Sequence, residues 1–408
     1  MNVRRRIMSR PGLVAVALFV FLLTAAGATA ASRTSSAKAP SFGEQYTPSN
    51  AVMMRTMGTT RHVPDVFKAA LYRAEQPLSA AKQALALRCW KQNVCNTGTG
   101  GKLTVGMVDG FGENVWRQIT HMEMILQALT YPAVGRIMYS SARLDAQKSI
   151  SDIRSMIAQG ADVIVGFPDF GNAVLPPIKE ATAKGIPFIP YASGIVGEPG
   201  KDYPGVVGED LCLVGKSFAR VLNGQAKSGT VVFLGGTPGN PLTAGWQTCE
   251  KPALSSNLKF GGDASTYWTR EGSLTAMAGY LSKYPDLVGV SYEYADGFLG
   301  ALTAYQNANK PVNVVATIQT DETGLFCEWK KLNNPNFKLY HGYGRSWQSR
   351  VALTVAMMKL KGATIPAKMN MPFVLRKTTN ADCVTTIPSE APPSSLVPAK
   401  LMAQMYPR

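Results

Sequence analysis

The sequence predicts an α/β protein with two lobes, each built on a parallel sheet covered by helices. Residues 103–190 alternate regularly between strand and helix patterns, and a second alternating series starts near residue 205. Such alternation implies parallel strands joined by right-handed crossovers. A chain of 408 residues is also too long for a single small domain, since domains average ~150 residues. Ligands of open α/β sheets bind beyond the carboxyl ends of the strands, so we expect the site residues there.

The chain begins with the pattern of a secretory signal peptide over residues 1–30. Four arginines precede an apolar run at 13–27, and Ala-Thr-Ala at 28–30 forms a small-x-small cleavage pattern. No later segment approaches the ~20 apolar residues that span a bilayer. We therefore expect an exported protein, periplasmic or extracellular and soluble after cleavage. Cleavage removes four arginines and no acidic residue, which lowers the formal net charge from +16 to +12.

An N-terminal extension is expected at 31–101. Residues 31–62 are rich in Ser, Thr, Ala and Pro, which predicts a flexible lead-in. Residues 64–91 repeat apolar side chains on one side of a helix, and the glycine-rich stretch at 96–102 predicts a loop.

The first lobe is expected at 102–192. Strands are predicted at 103–108, 162–166 and 187–190, and helices at 146–159 and 172–184. The helix after the first strand has a buried stripe of Val115, Ile119, Met122, Leu126 and Leu129, spaced three or four residues apart. The strand at 162–166 is a short apolar run, which is typical of a strand covered on both faces.

The second lobe is expected at about 193–321. The second alternating series, which starts near residue 205, predicts strands at 206–207, 231–234, 288–292, 312–316 and 338–340, and helices at 211–222, 243–254, 272–283, 297–308, 323–332 and 346–361. We expect the chain to return to the first lobe at about 322–362 and to the second at 363–377, before a C-terminal tail at 378–408.

Six cysteines in an exported chain predict disulfides: Cys89, Cys95, Cys212, Cys249, Cys327 and Cys383. Sequence alone leaves fifteen pairings open. We favour Cys89–Cys95, which closes a short loop, with Cys212–Cys249 and Cys327–Cys383, which tie neighbouring elements. A metal site is disfavoured because the chain has no CxxC pair and only three, widely separated histidines.

No nucleotide or cofactor motif has the required spacing. The VGKS at 214–217 lacks the four-residue spacing of a phosphate-binding loop and falls inside a helix pattern. The loop after the first strand, DGFGENVWRQ, carries Phe111, Asn114 and Trp116 where a dinucleotide fold places glycines. We expect no cofactor. The scattered Lys and Arg residues also lack the clustering of a nucleic-acid-binding surface, so no nucleic acid partner is expected.

Three carboxylates keep a hydrolase function as an alternative. Asp169, Asp296 and Asp321 follow predicted strands, where two could face each other across a glycosidic bond. They could equally accept hydrogen bonds from ligand hydroxyls or cap helices. A Ser-His-Asp triad is disfavoured by the three scattered histidines.

Aromatic residues give the stronger pattern. Six of them fall at or just past predicted strand ends: Trp116, Phe170, Trp246, Trp268, Tyr294 and Tyr343. Rings that stack on the apolar face of a flat ligand, with amides and carboxylates at its edge, suit a sugar or another polyol.

Several blocks of the sequence resemble the type I periplasmic binding proteins, in particular the sugar-binding subunits of ABC importers related to ribose-binding protein. The block DAQKSISDIRSMIAQGADVIVGFPDFGNAVLPPIKEATAKGIPFI is similar to the family's Asp-x-x-x-Gln and GIP signature. GENVWRQ, GVSYEYADGFLGALTAY and IQTDE are similar to further family segments, and the resemblance covers roughly 102–377. It implies two Rossmann-like lobes joined by a crossover hinge, with the ligand cleft between them.

The resemblance also implies ligand contacts at particular positions. Asn114 and Trp116 stand at the first-loop contacts, with Arg117 where a second aromatic residue is common. Asp321 keeps the family's aspartate for ligand hydroxyls, and Trp268 matches a commonly aromatic position. Four positions depart from the family pattern. Phe170, which is next to Asp169, stands where the family usually has Asp, and Trp246 stands where it usually has Arg. Tyr294, two residues before Asp296, stands where Asn is usual, and Tyr343 stands where Gln is usual. These exchanges replace hydrogen-bonding groups by rings, which disfavours a plain pentose.

The resemblance implies a monomeric capture protein that delivers a small sugar-like ligand to a membrane ABC permease and performs no chemistry. The alternatives are a secreted hydrolase on the same scaffold, using the three carboxylates, and a ligand-sensing subunit that docks with a membrane receptor.

Overall fold

The computed structural model describes residues 46–112, 114–192 and 197–407. The expected signal peptide at 1–30 lies outside these residues. The described part of the chain falls within one compact unit, Ala39–Arg408.

The N-terminal segment is helical and packs on the first lobe. It forms α1 (Asn50–Met57), α2 (Asp65–Glu75) and α3 (Ala80–Trp90). Helix α1, capped by the Ser49 hydroxyl, corrects the expectation of a flexible lead-in up to residue 62. The single helix predicted over 64–91 is interrupted at Pro77, because proline lacks an amide hydrogen and disfavours helical backbone in the residue before it. That residue, Gln76, is extended.

A five-stranded sheet forms the centre of the first lobe. Its strands are β1 (Val94–Asn96), β2 (Leu103–Asp109), β3 (Val134–Ser141), β4 (Val163–Phe167) and β5 (Phe188–Pro190), in the order β1-β3-β2-β4-β5. All neighbours run parallel except β1 and β3. The connecting helices are α4 (Val115–Ala128), α5 (Ala146–Ala158) and α6 (Leu175–Ala183). Side chains of Asn114 and Asp145 cap the first two of these helices. The order of strands and helices confirms the alternation predicted for this region.

A six-stranded sheet forms the centre of the second lobe. The strands that follow the first lobe are β6 (Val206–Glu209), β7 (Gly229–Gly235), β8 (Leu258–Ser265), β9 (Leu287–Tyr292), β10 (Val315–Ile318), β11 (Lys338–His341), β12 (Lys368–Met371) and β13 (Arg376–Lys377). The order in the sheet is β13-β11-β10-β9-β7-β8, and only the β11–β13 pair is antiparallel. Its helices are α7 (Leu211–Gln225), α8 (Pro241–Glu250), α9 (Arg270–Lys283), α10 (Ala295–Asn307) and α11 (Thr323–Leu332).

Three segments connect the lobes. Strands β6 and β12 pair in a parallel two-stranded ribbon at the boundary, and residues 372–375 lead from β12 to β13. Residues 342–347 link β11 to α12 (Gln348–Leu360), which packs against α4 and β4 of the first lobe. The return to the first lobe expected at residue 322 therefore comes later. It follows β11, because β11 extends the second sheet by pairing with β10.

The C-terminal segment, expected as a tail at 378–408, packs against both lobes. It ends in α13 (Ala399–Met405), which buries Leu401. The Ser394 hydroxyl donates to Asp321 of the second lobe at 2.9 Å, and the Ser395 hydroxyl donates to Glu123 of α4 at 2.8 Å. The segment is therefore part of the folded body.

The three favoured disulfides are present. Cys89 pairs with Cys95, Cys212 with Cys249, and Cys327 with Cys383. The last of these ties the C-terminal segment to α11, and the first joins the end of α3 to β1.

Replacing Cys327 and Cys383 together by alanine is expected to lower the free energy of unfolding by about 4 kcal/mol, since the bond closes a long loop of the unfolded chain. The partners lie 56 residues apart in sequence, against 6 for Cys89 and Cys95. Denaturant unfolding of this variant, and of the one in which Cys89 and Cys95 are both replaced by alanine, measures the two losses of stability. The Cys89/Cys95 variant is expected to lose less, and an equal or larger loss in it would contradict the prediction.

Candidate functional site

Residues at the carboxyl ends of strands from both sheets meet around one cavity between the lobes. About 480 Å³ of unfilled space lies here, including space that is open to solvent. Its wall is formed by Asn114, Trp116, Arg117, Phe167, Ala192, Glu209, Leu242, Trp268, Glu293, Tyr294, Gln319, Thr320, Gly344, Arg345 and Gln348. The position agrees with the rule that open parallel sheets bind ligands beyond their carboxyl ends.

Aromatic rings from both lobes face this cavity. Trp116 comes from the first lobe and Trp268 from the second, and both are buried. The Phe167 ring centroid lies 6.2 Å from that of Trp116 and 6.4 Å from that of Trp268. Phe111 supports the wall from behind, with its ring centroid 6.0 Å from that of Trp268. The rings offer apolar faces to a flat ligand from two sides.

Arg117 is the centre of a buried ion triad in the cavity wall. Its guanidinium donates to Asp109 at 3.2 Å and to Asp169 at 2.8 Å. Burial opposes the charge, but the two carboxylates raise the pKa of Arg117 above its usual value. Burial also raises the pKa of Asp169 to about 6, against the opposing effect of Arg117. The Asn240 amide of the second lobe donates to Asp169 at 3.0 Å, so the triad also joins the lobes.

Glu293, just after β9, holds one of the aromatic walls in place. It accepts hydrogen bonds from Thr243 at 2.6 Å, from the Trp246 indole at 2.6 Å and from the Trp268 indole at 2.7 Å. Burial raises the pKa of Glu293, and these three donors oppose the shift. The bonds fix the carboxylate and, through it, the orientation of the Trp268 ring.

A second ion pair lies where the connecting segments meet the cavity. Glu209 at the end of β6 contacts Arg345 of the 342–347 connection, and the Gln319 amide donates to the same carboxylate oxygen at 2.7 Å. Burial raises the pKa of Glu209 and lowers the pKa of Arg345, while each charge favours the other. The pair is neutral as a unit.

The cavity brings together five of the residues predicted from sequence: Asn114, Trp116, Arg117, Trp268 and Tyr294. Phe111 and Asp169 lie directly behind its wall. Their part in ligand binding stays a prediction.

Three other predicted residues are directed elsewhere by local packing. Phe170 packs on the apolar cluster under α5 and α6. Trp246 is fully buried in the second lobe, where its ring packs on Phe233, and it reaches the cavity only through Glu293. Asp296 forms a salt bridge with Arg270 instead of lining the cavity.

The last two lie against the C-terminal part of the chain. Asp321 accepts hydrogen bonds from the hydroxyl and the amide of Ser394, so the protein itself supplies the hydroxyl that the family resemblance assigned to a ligand. The Tyr343 ring lies 5.7 Å from the guanidinium carbon of Arg376. Neither side chain lines the cavity.

Several lining residues were not predicted: Phe167, Ala192, Glu209, Leu242, Glu293, Gln319, Thr320, Gly344, Arg345 and Gln348. The strand-end rule alone could have found Phe167, Glu293 and Gln319, which directly end or follow β4, β9 and β10. Arg345 comes from a connection between the lobes, where the sequence has no periodic signal.

Glu322 is a fully buried carboxyl behind the cavity residue Thr320. The Thr320 hydroxyl and the Ala295 amide donate to its Oε2, the latter at 3.1 Å. Its Oε1 has no hydrogen-bond partner among the described residues. Burial raises the pKa of Glu322 from 4.5 to about 8.

This carboxyl gives the protein a specific pH dependence. Between about pH 4.5 and 8 the folded protein keeps a proton on Glu322 that the unfolded chain has lost. Its contribution to the free energy of unfolding therefore falls as pH rises, by at most roughly 1.4 kcal/mol per pH unit. Glu322→Gln is expected to flatten that slope, whereas the exposed Glu271→Gln leaves it unchanged. Denaturant unfolding across this range measures it, and identical slopes for all three proteins would contradict the assignment.

Within the described ranges, no group of three or more His, Cys, Asp or Glu side chains is arranged to hold a metal ion. In the same part of the chain, no helix combines the length and apolar character needed to cross a membrane.

Comparison with known proteins gives consistent results. Residues 105–362 match the model of the periplasmic binding protein domain. The chain is 24% identical to the xylitol-binding protein of Mycolicibacterium smegmatis over 48% of its length, and 24% identical to the ribose import binding protein RbsB of Bacillus subtilis over 44%. The matches span 57% and 58% of those relatives, little more than half of each.

Solved structures show the same fold. One is the periplasmic binding protein component of the arabinose ABC transporter from Shewanella sp. ANA-3, with a TM-score of 0.61 and 18% identity. The comparison covers 67% of this chain and 92% of that one. The family model covers more than half of the chain, and the two-lobed α/β fold agrees with it. The chain belongs to the periplasmic binding protein family.

Proposed function

We propose that the protein is an extracytoplasmic solute-binding protein that captures a small uncharged polar ligand, a sugar or sugar-like polyol, and delivers it to an ABC permease. The observation that carries the proposal is the cavity between the lobes, which combines Trp116 and Trp268 faces with Gln319, Thr320 and Gln348 at the edges. Rings and neutral polar groups in this combination suit the alternating apolar faces and hydroxyls of a sugar. The relatives named for xylitol and ribose support the same ligand class.

The charges around the cavity disfavour an anionic ligand. Arg117 is compensated by Asp109 and Asp169, and Arg345 by Glu209. An anionic solute would lose its hydration shell in the cavity and find no uncompensated positive charge to replace it, which is costly. The hydroxyls of a neutral solute can instead form hydrogen bonds with amide and hydroxyl groups of the wall, such as those of Gln319, Thr320 and Gln348.

Contacts across the cleft support capture by hinge closure. Asn240 of the second lobe donates to Asp169 of the first, and the indole of Trp116 contacts the carbonyl of Gly344 in a connecting segment. Because both lobes contribute to the wall, a ligand stabilises the closed arrangement over an open one. A permease that recognises the closed arrangement would then distinguish loaded from empty protein, and a monomer suffices for this role.

The hydrolase alternative finds less support in the geometry. Asp169, Asp296 and Asp321 each have their own partner, and none of them lines the cavity. A hydrolase needs two carboxylates that flank one glycosidic bond. Among the described residues, the two carboxylates that line the cavity are Glu209, which pairs with Arg345, and Glu293, which accepts hydrogen bonds from two indoles. A sensing role uses the same capture step with a receptor in place of the permease.

The ligand itself is the direct test. Mass spectrometry of the small molecules that co-purify with the protein is expected to yield a neutral polyol or sugar, released unchanged on unfolding. Release of a cleaved product after incubation with that ligand would replace capture by catalysis.

A further inference from the structure

Two residues of the cavity wall, each with an unpartnered acceptor oxygen, lie at the segments that connect the lobes. Glu209 ends β6, and Gln348 begins α12 directly after the connection at 342–347. The Glu209 side chain is 3% exposed and Gln348 is 1% exposed. Among the described residues, the Oε1 atom of neither side chain has a hydrogen-bond donor. Buried acceptors are rarely left in this state, because each costs free energy until a donor reaches it.

The rest of this cluster is already satisfied. The Oε2 atom of Glu209 receives both the Arg345 guanidinium and the Gln319 amide. The backbone amide of Gln348 donates to the carbonyl of Arg345 at 3.0 Å. Arg345 therefore fixes both residues through different atoms, and one oxygen on each remains without a donor among the described residues.

The donor that these oxygens need is a neutral one. Arg345 already compensates the charge of Glu209, so Glu209 itself offers an ammonium group no free countercharge. Ligand hydroxyls supply one donor each at no charge cost. We infer that Oε1 of Glu209 and Oε1 of Gln348 accept hydrogen bonds from two hydroxyls of the ligand, so that the connecting segments make the site selective for free hydroxyls. This inference rests on the proposed function and adds two specificity residues to it.

Gln348→Leu tests the inference by removing one acceptor while keeping the side chain's bulk. Gln348→Glu keeps an acceptor oxygen, and Gln306→Leu on the exposed side of α10 is the matched control. Calorimetric titration uses a panel of pentoses, hexoses and polyols that includes xylitol and D-ribose, together with singly deoxygenated forms of the sugars that bind. Gln348→Leu is expected to weaken binding about tenfold, the loss typical of one hydrogen bond. Gln306→Leu is expected to leave binding unchanged, and Gln348→Glu to retain more affinity than Gln348→Leu.

The deoxygenated sugars give an independent readout. One of them is expected to bind the wild-type protein about tenfold more weakly than its parent, and this preference is expected to vanish in Gln348→Leu or in Glu209→Leu, each of which removes one acceptor. Thermal unfolding identifies a variant that fails to fold, and the sugar preference is then measured in the other variant. Wild-type affinity and preference in both variants would overturn the inference and leave the proposed function standing. Failure of every neutral sugar and polyol to bind the wild-type protein would overturn the proposed function and the inference together.

Discussion

Arg117→Met is expected to lower the free energy of unfolding by about 3–5 kcal/mol, the usual cost of removing one partner from a buried ion pair. The substitution keeps most of the side chain's volume but leaves Asp109 and Asp169 buried without their cation. Since Arg117 also lines the cavity, the variant is expected to bind ligand more weakly. Denaturant unfolding at neutral pH measures the loss of stability.

Two further variants separate the charge effect from lost packing. Arg117→Met combined with Asp169→Asn is expected to recover part of the stability, because the double variant buries one uncompensated carboxylate fewer. Arg154→Met removes a cation from the exposed pair with Glu180 and is expected to leave stability essentially unchanged. A double variant no more stable than Arg117→Met alone would show that packing, and not charge, sets the cost.

Trp116→Ala is expected to weaken ligand binding by about 2 kcal/mol or more, roughly thirtyfold, because large buried rings act as binding anchors. Its ring comes from the first lobe and lines the same cavity as Trp268. The variant also loses the indole contact with the carbonyl of Gly344 in a connecting segment. Calorimetric titration with the co-purified ligand measures the change.

Trp116→Phe and Tyr267→Ala are the controls for this substitution. The phenylalanine keeps an aromatic face but not the indole donor, so an intermediate affinity is expected. Tyr267, although next to Trp268, is 46% exposed and outside the cavity wall, and its loss is expected to leave affinity unchanged. Full affinity in Trp116→Ala would remove the loop after β2 from the binding site.

The alternation of strands and helices was readable from the sequence because buried parallel strands and amphipathic helices have different periods. Strand β8 was missed for a physical reason. It is an edge strand with a largely exposed burial pattern and two consecutive glycines, so it has no apolar run. The return to the first lobe was placed too early, because strand pairing between β10 and β11 depends on distant partners that no local pattern encodes.

Part of the binding site was predictable from where residues stand relative to the ends of strands. Asn114 and Trp116 follow β2, whose end converges with those of other strands, so position in the fold located them. The family resemblance located Trp268, because β8 was not predicted. Asp321 shows the limit of that rule. Its carboxylate is taken by Ser394, which lies 73 residues further along the chain in a segment outside the family resemblance.

Titration of ligand-free protein with a neutral sugar or polyol and with its phosphate ester distinguishes capture of an uncharged solute from capture of an anion. We expect saturable binding of the neutral compound at one site per chain and no measurable binding of the ester, because Arg117 and Arg345 are already compensated. Tighter binding of the phosphate ester than of the parent compound would show instead that the cavity binds anions.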